Sequence, residues 1–218
     1  MTIYYFHGYG LKPDNILKDS KGKDIHILDD LEYKLVEYPE DFFEQSIPKM
    51  IDYINKIIEE PSYIIGHSIM GLIVYVFSQL HSEKVKGLIL IDPLTPTTFL
   101  IHKLSVMLTR PDETDYSKKC YENWIDWIES YTFTFKFRNN IPTVVYSVDH
   151  SNLLEFHKKQ YKGEDIGKML IDRKNKIAFL KTMRGVNCKS KLKIFYDDHH
   201  MLMWKHHTII KDDLRIIL

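Results

Sequence analysis

The sequence predicts an α/β fold of the doubly wound kind: a mostly parallel sheet of about six strands with helices on both faces. Three observations predict it. Short apolar runs without polar alternation recur along the chain, as strands buried on both faces require. Stretches of helical periodicity lie between those runs. Glycine or proline closes most of them.

The first strand is Ile3 to Phe6, stopped by Gly8 and Gly10. A second is expected from Tyr33 to Tyr38, closed by Pro39. From Phe42 to Ile58, apolar side chains at Phe43, Ile47, Met50, Ile51, Ile54, Ile57 and Ile58 recur every three or four residues, an amphipathic helix. Ser62 to Ile65 is the next strand, Leu72 to Leu80 an apolar helix, and Val85 to Ile91 a strand ending at Asp92-Pro93. Ile141 to Ser147 and Leu192 to Tyr196 complete the set.

Two segments interrupt the alternation. Residues 95–140 hold Phe99, Met107, Trp124, Trp127, Tyr131, Phe133, Phe135 and Phe137. Pockets are lined by such groups, so the segment is a candidate helical cap; the alternative is the ordinary core of crossover helices. Tyr161 to Lys191 is charged, helical in pattern, and expected to be a scaffold helix.

A length of 218 residues suits one domain, 1–218, and 44% hydrophobic residues suffice for its core. Lys+Arg and Asp+Glu balance at 30 each, so no net field draws in phosphate backbones, and nucleic acid is not expected as a partner. No uninterrupted run of about 18 apolar residues predicts a membrane span, and no leader pattern is visible. Cys120 and Cys188 are expected to be reduced thiols of a cytoplasmic protein. His199-His200 and His206-His207 complete no known ligand spacing, and no glycine-rich phosphate loop occurs, so neither a metal nor an organic cofactor is expected. Nothing in the pattern speaks to oligomeric state.

The strongest local signal is Ser62-Tyr63-Ile64-Ile65-Gly66-His67-Ser68-Ile69-Met70-Gly71, a strand, a tight turn and an apolar helix. That order puts the hydroxyl of Ser68 at the carboxyl end of the sheet. Gly66 lets the backbone turn, and the following helix aims its N-terminal dipole at the serine. The second signal, His7-Gly8-Tyr9-Gly10, directly follows the first strand.

Together these motifs resemble the α/β-hydrolase superfamily, whose nucleophile elbow reads Gly-x-Ser-x-Gly. Met70 stands where the final glycine belongs, and glycine arrives one place later at Gly71. The resemblance implies a Ser68 nucleophile, with oxyanion-hole N–H groups from Tyr9 and Ile69. It also implies a histidine base after the last strand. His200, preceding Met201-Leu202-Met203, fits better than His199, whereas His7 is read as structural. The triad acid is assigned to Asp149, past the strand that opens at Pro142; Asp92, Asp197 and Asp198 are the competitors. The order Ser68, Asp149, His200 is that of the family. The implied activity is hydrolysis of a carboxylic ester or thioester of a small molecule through an acyl-enzyme. Acyl transfer by the same triad and a catalytically silent binding protein are the alternatives.

Overall fold

The computed structural model describes residues 2–11, 18, 33–95, 120, 123–124, 127, 140–149, 181, 189–196 and 201–217, with only the backbone of 149 and 216. Six strands occur among them: β1 (Ile3–Phe6), β2 (Tyr33–Leu35), β3 (Ser62–His67), β4 (Val85–Ile91), β5 (Thr143–Asp149) and β6 (Ser190–Tyr196). They form one sheet in the order β2-β1-β3-β4-β5-β6. Every neighbouring pair is parallel.

Period-two alternation of these strands builds two cores. Tyr4, Phe6, Ile64, Leu88, Leu90 and Val145 face one side. There they meet Met50, Ile51 and Ile54 of α1 (Ile47–Ile57) and much of α2 (Ile69–Leu80). Ile3, Tyr5, Ile65, Ile89, Val144 and Tyr146 face the other. That side is covered by Leu202, Met203, Ile210 and Leu214 of α3 (Leu202–Ile217). Both faces are therefore dry, which explains the absence of polar alternation in the strands. Tyr146 reaches across to donate its hydroxyl to Asp213 of α3 at 3.0 Å, and Asp213 also pairs with Lys193 of β6.

Some boundaries differ from the sequence expectation. The Tyr33 to Tyr38 strand is only three residues long, although Val36 still donates to Tyr5 at 3.0 Å. The expected helix from Phe42 splits into a 3₁₀ turn, Phe42–Glu44, and α1. The extended backbone of Ser46 (ψ 151°) and the proline in the first turn restart the helix there. The strand expected at Ile141 to Ser147 runs instead over Thr143–Asp149. Of segment 95–140, only Thr95, Cys120, Asn123, Trp124, Trp127 and Asn140 are described. Cys120 and Trp124 are buried in the α1–α2 core. Of the segment from Tyr161 to Lys191, only Lys181 and residues 189–191 fall within the described residues.

β1 lies inside the sheet: the chain first adds β2 on one side of it and then returns to lay down β3 on the other. Loops at the carboxyl ends of β1 and β3 consequently part in opposite directions. In open parallel sheets, ligands bind in the crevice left at such a switch point.

Candidate active site

Ser68 stands at that switch point, between the end of β3 and the first residue of α2. Its backbone has φ 57° and ψ −127°, a conformation that L-residues with a side chain rarely adopt. Hydrogen bonds hold it there. The Ser68 N–H donates to Ile91 at the end of β4, and its carbonyl accepts from Gly71 and Leu94, each at 3.0 Å. The side chain remains partly exposed, although both of its sequence neighbours are buried.

Glycines make the bend sterically feasible. A Cβ on Gly66 would lie 2.4 Å from Val74 Cγ2 and 2.9 Å from the carbonyl oxygen of Met70. A Cβ on Gly71 would lie 2.7 Å from Pro93 Cβ. This resolves the displaced glycine of the motif. The face of α2 that meets Gly66 and the Asp92-Pro93 turn is presented by position 71, so Met70 is released to fill the core and is wholly buried there.

The loop after β1 presses on the elbow from the other side. A Cβ on Gly8 would fall 2.8 Å from the Cβ of Ser68 and 3.1 Å from Nδ1 of His67. Tyr9, the next residue, packs its ring edge-on to Phe43 and Trp124, at 5.4 and 6.2 Å between centroids. The amide of Tyr9 thus belongs to a braced loop beside Ser68. Ile69 is the first residue of α2, whose leading amides have no carbonyl one turn earlier within the helix.

His7 is built into the wall of this loop. Its Nδ1–H donates to the Gly8 carbonyl at 3.1 Å, and its ring lies 4.5 Å from that of Tyr38. Tyr38 in turn donates its hydroxyl to the His7 carbonyl at 2.9 Å. Burial lowers the imidazole below its ordinary pKa, partly opposed by the Gly8 bond.

Asp149 closes β5 in register with Tyr196, at the same edge of the sheet as Ser68 and two strands away. Its side chain, together with Asp197, Asp198, His199 and His200, falls outside the described residues. The chain leaves β6 at Tyr196 on this edge and is described again from Met201, immediately before α3.

Asp92 has a defined environment. It follows β4, is 1% exposed, and also has positive φ, at 40°. Its N–H donates to the Tyr146 carbonyl at 2.6 Å. Its Oδ1 accepts from the Val148 N–H at 2.9 Å and from the Ser147 hydroxyl at 3.2 Å. From the sequence alone, Asp92 is a competitor for the acid in a stretch, Leu90 to Pro93, to which the family resemblance gives a structural use. Its bracing of β5 carries no sequence signature, because it depends on two strands ending at different heights.

Among the described residues, no helix is long and apolar enough to cross a membrane. No family model and no curated protein sequence matches the chain. Solved structures do match. A structure described as a predicted CIB-like hydrolase from Thermoplasma acidophilum superposes with a TM-score of 0.58 at 14% identity, over 99% of this chain and 86% of the other. A lipase-esterase related protein from Clostridium acetobutylicum gives 0.55 at 15% identity, over 100% and 94%. An esterase of a marine microorganism gives 0.52 at 15%, over 100% and 95%.

Proposed function

The chain has the α/β-hydrolase fold, and from that premise we propose that it is a serine hydrolase of small carboxylic esters or thioesters. One observation carries the reading. Ser68 is held in a strained turn at the switch point of the sheet, with the Gly8 loop packed against its Cβ. Strain of this kind costs on the order of 1–3 kcal/mol and persists where surrounding structure imposes it, commonly at active sites. An incidental serine in an ordinary turn has no need of it.

In this mechanism Ser68 Oγ attacks the acyl carbon while His200 takes the hydroxyl proton. The carbonyl oxygen becomes an oxyanion, held by the N–H groups of Tyr9 and Ile69. His200 then returns the proton to the leaving alcohol or thiol as the tetrahedral adduct collapses to an acyl-enzyme. Water, deprotonated by the same imidazole, releases the acid. Asp149 accepts from the other ring nitrogen and fixes the tautomer. Support for these roles comes from the carboxyl-edge placement of β5 and from the departure of the chain from β6 on that edge.

A chain-length series of p-nitrophenyl and CoA esters tests the proposal. Wild type should turn over at least one class. His200→Ala should lose about 10⁴-fold in kcat, as removal of a triad base does, whereas His199→Ala should be mild. The reverse ranking of the two histidines would transfer the base to His199. Absence of turnover across both series would count against a hydrolase.

A further inference from the structure

We propose that Asp92 is a positioning residue for the triad acid: its carboxylate holds the last turn of β5 at the height from which Asp149 is presented. The inference rests on the hydrolase reading for its catalytic consequence, but its structural half stands on described residues.

The strands on either side of this contact end at different heights. The β4–β5 ladder ends at Ile91 opposite Tyr146, while β5 continues through Ser147, Val148 and Asp149, paired among the described residues only with β6. On the side facing β4, that overhang would have no ladder partner. A buried N–H left without an acceptor keeps its full desolvation penalty, and the strand end would be free to fray. Asp92 supplies what the ladder lacks. Its backbone turns at positive φ, so the chain leaves the strand direction, and the carboxylate lies back along β5 to accept from Val148 and Ser147. The side chain thus replaces the missing strand residue.

The position is also connected to the nucleophile. Residues on either side of Asp92 touch the elbow: Ile91 accepts the Ser68 N–H, and Leu94 donates to the Ser68 carbonyl. One short turn therefore ties the Ser68 backbone to the residue immediately before Asp149. A carboxylate one residue from Ile91 and two from Leu94, bonded to the residue before the proposed acid, fixes their separation. Misplacement of such groups by about 1 Å can cost on the order of 100-fold in rate.

The chemistry of the contact separates positioning from direct catalysis. Both bonds arrive at one carbonyl-like oxygen, which an asparagine also offers. A triad acid needs its charge: the asparagine variant of such an acid loses about 10⁴-fold.

The test compares Asp92→Asn, Asp92→Ala and Asp149→Asn by kcat and KM on a p-nitrophenyl ester and by amide hydrogen exchange at Val148. Asp92→Asn should keep kcat within about tenfold, since a charge-assisted bond becomes a neutral one. Asp92→Ala should lose about 100-fold in kcat with KM little changed, and lose protection at Val148. Asp149→Asn should lose about 10⁴-fold with Val148 still protected. Loss of about 10⁴-fold in Asp92→Asn, with Asp149→Asn active, would make Asp92 the acid and overturn the proposal. Unchanged protection of Val148 in Asp92→Ala would overturn it whatever the activity. A wild type with no esterase activity would remove the hydrolase reading, while exchange at Val148 still decides whether Asp92 holds the strand.

Discussion

Gly8 and Ser68 are in contact at the limit of close packing: a methyl group on Gly8 would sit 2.8 Å from the Cβ of Ser68. Neither side has slack. Ser68 is bound through its backbone to Ile91, Gly71 and Leu94, and the loop is braced through Tyr9 against Phe43 and Trp124. Gly8→Ala must therefore displace the loop that carries the Tyr9 amide. The expected result is a fall in kcat of about 100-fold with little change in KM, since a displaced oxyanion donor is missed only in the transition state. Steady-state kinetics on a p-nitrophenyl ester, with circular dichroism to verify the fold, checks it. An unaltered kcat would exclude Tyr9 as a donor.

Strain at Ser68 has a consequence for stability. Glycine adopts φ 57° without the side-chain penalty, so Ser68→Gly should abolish turnover yet raise unfolding stability by about 1 kcal/mol. Urea unfolding should show a higher midpoint at unchanged slope. A lower midpoint would mean that the serine side chain contributes to packing.

Respelling the elbow as Gly-x-Ser-x-Gly should harm this protein. Met70 is wholly buried, and the close approach that glycine normally serves is made at Gly71 against Pro93. Met70→Gly should destabilise by roughly 3–5 kcal/mol, a cavity plus the helix propensity of glycine. Denaturant unfolding measures it. A neutral effect would show that α2 can slide to refill the space.

What the sequence revealed follows from which signals are local. The parallel sheet was legible because β1, β3 and β4 each hold an apolar run, Ile3 to Phe6, Ile64-Ile65 and Leu88 to Ile91, with glycine or proline close behind it. The elbow was legible because a strand, Gly66-His67-Ser68 and an apolar helix are contiguous. Shortening of β2 was not, since Val36 and Tyr38 continue the pattern around exposed Glu37, although the Tyr38 hydroxyl serves the His7 carbonyl. Nor was the division before α1, where Ser46 and Pro48 outweigh an unbroken apolar period. The glycine at 71 instead of 70 required knowledge of where Pro93 lies. Asp92 and the paired role of Trp124 with Phe43 are likewise relations between distant segments.

His7 gives the account a pH dependence. Burial lowers its pKa in the folded state from the ordinary value of 6.5. As pH falls through that value, the unfolded chain binds the proton before the native one does. Its share of stability is thus present above pH 6.5, declines below it, and levels off once the folded-state pKa is passed. His7→Gln, which can still donate to the Gly8 carbonyl, should show a shallower decline in melting temperature between neutral and mildly acidic pH. Thermal scans of both proteins across that range check it; parallel curves would indicate that His7 is not the group responsible.

The most direct measurement is covalent labelling by a fluorophosphonate, read as a mass shift on the peptide containing Ser68. The account predicts attachment at Ser68, none in a folded Ser68→Ala variant, and much slower attachment in His200→Ala. Attachment elsewhere, or undiminished labelling of Ser68→Ala, would contradict the assignment of Ser68 as the nucleophile.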